Sequence, residues 1–333
     1  MMNWLHDFLL RYKPYYLFIE WTKRLIVPVF GHVSLYIVGS FFLKEINKGS
    51  LANKASSLAY SFMLAIFPAI IFLFALIPYI PIANFQQQLL ELIDLVLPQN
   101  AYMAVEATLD DIVKNQNSGL LSFGFLFALI FATNGIHNLM EAFNKSSLII
   151  ETRTWLKQRF IALVLTMLTV SALISGLIII TLGEYFFDFL KSEFLFKDSF
   201  WLYVIAFARW ITLIAIYFTT TSILYRYGPA TTEKWHFFSA GSFMATVLAV
   251  FTFWGFAFYI NHFSTYNKLY GSIGTLIVIM VWLYLNSFIL LLGFEFNASI
   301  DLSKRSIKVP SYPVNTFRAP SAGKLPTESD FLE

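Results

Sequence analysis

Six stretches of the chain, residues 56–80, 120–143, 160–182, 201–223, 237–260 and 271–293, are apolar runs that each hold at most one charged side chain. An α-helix rises ~1.5 Å per residue, so ~20 such residues cross the ~30 Å hydrocarbon core of a bilayer. Inside that core every backbone N–H and C=O must find its partner within the protein, which leaves helices and closed barrels. Barrel strands need only ~10 residues, so runs this long predict helices. The fold class is all-α, a polytopic membrane protein built as a six-helix transmembrane bundle. Of 333 residues, 58% are hydrophobic and 13% charged, far from the usage of a soluble domain.

The connections carry the orientation. Eighteen of the 23 Lys and Arg fall in residues 1–55, 144–159, 224–236 and 296–333, whereas Lys114, Lys191, Lys197 and Lys268 alone fall in the opposite loops, and Arg209 lies inside a run. Basic residues stay in the cytoplasm, so both termini are expected there, with residues 56–295 as the transmembrane domain. Trp4, Phe8, Tyr12, Tyr15 and Ile19 alternate with Arg11, Lys13, Lys23 and Arg24 in the first segment, a pattern for an amphipathic interfacial helix. Residues 26–43 are apolar but interrupted by Pro28, Gly31, His32, Ser34 and Gly39, and are read as interfacial or half-buried. The 81–118 connection spaces Phe85, Leu89, Leu92, Ile93 and Val96, then Val105, Leu109 and Ile112, as two short amphipathic helices on the extracytoplasmic surface. Residues 296–333 are polar and proline-containing, the pattern of a disordered tail.

Polar residues inside the runs are the functional candidates. Asn134, Asn138 and Glu141 are spaced i, i+4, i+7 and share one helix face, with His137 beside them. An unpaired polar group in hydrocarbon costs several kcal/mol, so this stripe is expected to face the bundle or a water-filled cavity. Tyr60, Asn286 and Glu295 fall at similar depth on the first and last spans, and the seven together are read as a polar cavity open to the cytoplasm. Pro68 bends the first span, and Gly135, Gly271 and Gly274 permit close helix contact. Arg209 is a membrane-embedded charge that either snorkels or meets an acid.

Several classes fall away on composition. The chain has no cysteine, so no thiolate metal site or thiol nucleophile, and its five histidines are scattered. No GxxxxGK[ST] loop is present, which disfavours ATP-driven pumping by this chain alone. No metal, no cofactor and no nucleic-acid partner are expected.

The segments NKASSLAYSFMLAIFPAIIFLF, ATNGIHNLMEAFNKS with ETRTWLKQR, LYRYGPATTEKW and YGSIGTLIVIMVWLYLNSFILLLGFEFNA together resemble the YihY/BrkB family of bacterial inner-membrane proteins, from about Leu51 to Ala298. Residues that match its pattern include Tyr60, Pro68, Asn134, Gly135, Asn144, Arg153, Tyr270, Gly271, Trp282, Tyr284, Gly293 and Glu295. The resemblance implies a six-helix protein connected with envelope integrity or transport. An early ribonuclease label for the family finds no hydrolytic carboxylate or histidine set here. The expected function is transport of a lipid or amphiphilic solute, with membrane lipids as partners. The alternative is a non-transporting scaffold that engages another envelope protein. A membrane-embedded enzyme is disfavoured, because His137 and Glu141 make only half a metal site.

Overall fold

The computed structural model describes residues 13–25, 33–47, 50–80, 86–87, 90, 109–146, 150–193, 199–231, 235–262 and 272–308. Eight helices are named here: α1 (Lys13–Arg24), α2 (Leu35–Asn47), α3 (Ser50–Leu76), α4 (Ser118–Ser146), α5 (Trp155–Glu193), α6 (Ser199–Tyr227), α7 (Ala240–His262) and α8 (Ser272–Lys308). The last six are long and apolar enough to cross a membrane. The chain is a polytopic all-α membrane protein.

Local chemistry sets where these helices start and stop. Asn117 caps α4, its Oδ1 accepting from Leu120 N at 2.9 Å, and Ser239 caps α7, its Oγ accepting from Ser242 N at 3.2 Å. Gly228 N closes the end of α6 on Leu224 O at 2.9 Å, and Pro229 follows. Three helices outrun their apolar stretches. α3 begins at Ser50, α5 continues to Glu193 and α8 runs on to Lys308, so the first dozen residues of the polar tail are helical. Nothing between Gly293 and Lys308 breaks a helix, and Pro310 is the first residue that cannot continue one. Pro68 is accommodated within α3.

The chain divides into two units. One comprises residues 1–41 with 300–333, and the other, residues 42–299, holds the body of all six spans. In the first unit, Leu35 N donates to Leu25 O at 3.0 Å and the Lys23 ammonium lies 5.5 Å from the Tyr36 ring centre. Residues 26–32 of the 26–43 stretch lie outside the described residues. α2 has 13 residues, about 20 Å of helix, too short to cross a hydrocarbon core.

In the second unit α3 and α4 run antiparallel, side by side. Four contacts mark their register: Phe72 against Gly124, Phe62 against Gly135, Ser61 with Asn138 and Lys54 with Ser146. The described part of the 81–118 connection packs on the far end of this pair, where Leu90, Val113 and Leu109 meet Ile77 and Phe74. α7 and α8 touch backbone to backbone at Gly241 and Gly293. The core sits at the end of the bundle that carries the connections 147–154 and 228–239, here called the latch end. Phe143 of α4 stacks on Phe294 of α8 with ring centres 4.0 Å apart, Tyr225 of α6 meets both edge-on, and Trp235 leans on Phe294.

Candidate functional site: the polar latch end

Polar side chains gather at the latch end in three groups, each tied to a different pair of elements. The first lies on α4 and its neighbours. Asn138 Nδ2 donates to Ser61 Oγ of α3 at 2.7 Å, and Asn134 Oδ1 accepts from Arg159 Nη1 of α5 at 2.9 Å. His137 Nε2 stands 3.3 Å from Glu141 Oε1, and Glu141 Oε2 lies 3.8 Å from Lys145 Nζ. His137 is buried and its Nδ1 has no hydrogen-bond partner among the described residues. Asn134 and Glu141 remain exposed, as does Tyr60 on the neighbouring turn of α3.

A second group is a buried charge. Glu295 of α8 is 4% exposed; its Oε1 lies 3.7 Å from Lys54 Nζ of α3, and its Oε2 has no hydrogen-bond partner among the described residues. Lys54 also donates to Ser146 Oγ of α4 at 2.9 Å, so one ammonium joins three spans.

The third group is a latch between two connections. Arg153 grips Glu151 through Nε (2.8 Å) and Nη2 (2.7 Å), and the same Nη2 donates to Gly228 O at 3.0 Å. Asn144, buried at the end of α4, donates to Glu151 Oε2 and accepts from Ala230 N, both at 2.8 Å. The Arg153 guanidinium holds the Glu151 carboxyl below the usual carboxylate range, with the Asn144 amide adding to the effect and partial burial opposing it. Beside the latch, Asn297 of α8 accepts from Gly241 N at 2.7 Å and donates to Ser239 Oγ at 2.8 Å, tying α8 to the capped start of α7.

The structure thus brings Tyr60, Asn134, His137, Asn138 and Glu141 to the α3–α4 side, and places Glu295 apart from them with Lys54. Asn286 donates to Trp282 O of its own helix at 2.8 Å. Gly135 lies under the Phe62 ring, where a Cβ would come within 2.8 Å of it, and Gly274 is buried. Gly271 and Tyr270 lie outside the described residues. Arg209 is half-buried on α6, with its Cδ 3.2 Å from where a Cβ on Gly183 of α5 would sit. Among the described residues no three His, Asp or Glu side chains come together as a metal site requires.

A family model described as Virulence factor BrkB matches residues 42–312, beginning where the bundle unit begins. The chain belongs to the BrkB family. This BrkB chain is 31% identical over 253 residues to a ribonuclease-like protein, YfkH, of Bacillus subtilis (strain 168), covering 76% of this chain and 91% of that one. A UPF0761 membrane protein of Stenotrophomonas maltophilia (strain K279a) is 26% identical over 263 residues, 79% of this chain and 60% of the relative. One from Xanthomonas axonopodis pv. citri (strain 306) is 25% identical over 268 residues, 79% of this chain and 61% of its own. The chain therefore spans about three fifths of the length of these UPF0761 relatives. No solved structure matches it.

Within this BrkB fold, sequence reasoning passed over Lys54, Ser146, Glu151, Tyr225 and Asn297. Tyr225 is fully buried in the core and its hydroxyl donates to Leu290 O at 2.7 Å, closing α6 onto α8. Asn144 and Arg153 were signalled only by the family pattern, since a lone amide and a loop arginine read by themselves as solvated surface.

Proposed function

We propose that this chain is a multi-pass protein of a bacterial inner membrane, both termini cytoplasmic, that moves a lipid or amphiphilic solute along the polar side of α3 and α4. One observation carries the reading: Asn134 and Glu141 stay exposed on a membrane-spanning helix while Asn138, one turn from each, is tied to Ser61. Exposed polar groups at that depth are too costly against hydrocarbon, so water occupies this face and provides the way in from the cytoplasm. Asn138 with Ser61 then forms the floor of the vestibule. No enzymatic step is assigned to it.

The test is flux in reconstituted vesicles of mixed phosphatidylethanolamine and phosphatidylglycerol, following a short-chain fluorescent phospholipid. Asn134→Ala with Glu141→Gln, both at exposed positions, is expected to lower the rate at least about tenfold, the equivalent of ~1.4 kcal/mol on the barrier. Unchanged flux in that variant removes the face from the mechanism. A second reading, a non-transporting scaffold for an envelope protein, is favoured by the latch itself, whose mutual bonds describe a static bundle. Absence of flux in the unaltered protein, with a stoichiometric cross-linked protein partner from residues 109–114, would select it.

A further inference from the structure

The side of the bundle away from α3 carries a feature that the transport reading does not use. Two hollows of about 550 Å³ and 340 Å³ lie between α5 and α6 and share Leu168, so they form one strip. It opens at Thr152, Arg153 and Lys157, passes Phe160, Val164 and Leu168, and reaches Ser175. From Lys157 to Ser175 is about 27 Å of helix, against ~15 Å for half a hydrocarbon core. The strip therefore starts at the membrane surface and passes the midplane.

Its chemistry changes along the way. At the mouth Lys157 is exposed and makes no ion pair or hydrogen bond among the described residues, while Glu151 balances Arg153, so Lys157 carries the unbalanced positive charge. Arg153 uses Nε and Nη2 on Glu151 and Gly228, and among the described residues its Nη1 meets no acceptor. Tyr227 lines the mouth and is exposed, an aromatic side chain at the level of headgroups. Deeper in, the wall hydroxyls are those of Thr169, Ser175, Thr212, Thr219 and Thr220, and all but Thr219 have their donor hydrogen engaged. Thr169, Ser175, Thr212 and Thr220 each donate to the carbonyl four residues back, at 2.8 Å, so the walls present mostly apolar surface with few free donors. The gap exists because Ala172 and Ala215 are too small to fill it.

We propose that this strip binds one phospholipid with an anionic headgroup, its phosphate at Lys157 and the free edge of Arg153, and an acyl chain laid along Leu168. A basic mouth above an apolar slot between two spans is the arrangement that recognises such a lipid. The proposal stands independently of whether the chain moves any solute.

Native mass spectrometry of the full chain in detergent, titrated with phosphatidylglycerol or phosphatidylcholine of matched acyl chains, tests it. One phosphatidylglycerol is expected to be retained in preference to phosphatidylcholine. Lys157→Ala should weaken phosphatidylglycerol about fivefold, the ratio equivalent to the ~1 kcal/mol that a surface lysine gives an anionic lipid, and should leave phosphatidylcholine unchanged. Lys44→Ala, the same loss of charge on an exposed residue of α2, should change neither. Ala215→Phe fills the slot and should weaken both lipids. Equal retention of the two lipids by the unaltered protein would overturn the proposal, as would equal weakening by Lys44→Ala. A lipid-resistant dimer that Ala215→Phe abolishes would show a second copy of the chain to be the occupant instead. Should Ala215→Phe fail to fold, Lys157→Ala still tests the proposal, and unchanged retention of phosphatidylglycerol by that variant would overturn it.

Discussion

Glu151 and Arg153 show how much a few atoms contribute at the latch end. Because hydrogen bonds from Arg153 hold the Glu151 carboxyl below its ordinary value of 4.5, the folded state favours the charged form. The latch contribution is therefore fully present above about pH 4.5 and is lost as pH falls through the depressed value. Arg153→Ala is expected to cost about 2 kcal/mol at neutral pH, the scale of hydrogen bonds to charged groups, and Glu151→Gln should flatten the acid limb of thermal unfolding in detergent. Equal acid sensitivity in Glu151→Gln and the unaltered protein would place the titrating group elsewhere. Lys54 makes a different prediction, since Glu295 is buried and its second oxygen is unpaired among the described residues. Lys54→Met leaves that carboxyl alone and should cost at least ~3 kcal/mol, whereas Lys54→Met with Glu295→Leu should recover most of the loss. Neither pairing was legible beforehand. Glu151 and Arg153 sit two apart in a loop, and Lys54 and Glu295 are 241 positions apart in the chain.

At the scale of elements, the apolar runs gave the spans because exclusion of water dictates their length, and this part of the fold could be read directly. Helix ends could not. α8 continues into polar sequence because nothing before Pro310 breaks the helix; the edge of a hydrophobic run does not end it. Packing register was equally hidden: Gly293 matched the family pattern, but only the folded chain shows that Gly241 is its partner. A Cβ on Gly241 would stand 2.1 Å from Gly293 O and 2.6 Å from the Asn297 side chain. Gly241→Val should therefore separate α7 from α8 and cost about 3 kcal/mol or more, read as a lower midpoint in detergent unfolding. Gly255, which meets nothing within 4 Å, is the matched control; Gly255→Val should be near neutral. A comparable loss at both positions would show that helix propensity, and not the close crossing, decides.

On the scale of the whole molecule, the latch end combines two behaviours, and the sequence reading put residues of both kinds into one polar cavity. Asn138, Asn144, Glu295 and Asn297 are buried or half-buried and tied to neighbouring elements, whereas Tyr60, Asn134 and Glu141 stay exposed on one side of the bundle, Asn134 with Arg159 of α5 as its partner. Depth is readable from position in an apolar run, but which side of a helix meets a neighbour depends on contacts between spans far apart in sequence. If the exposed side is wet and opens to the cytoplasm while the tied side is closed, the two sides differ in their access to a polar reagent. The absence of native cysteine makes the test direct. Single variants Asn134→Cys, Glu141→Cys, Ser146→Cys and Ser299→Cys would be treated in oriented membranes with a membrane-impermeant maleimide from either face. Rapid labelling of positions 134 and 141 from the cytoplasmic face only is expected, with protection of positions 146 and 299, whose native serines are both buried; silence at 134 and 141, or labelling from the opposite face, would show that this side is no water-filled entrance from the cytoplasm.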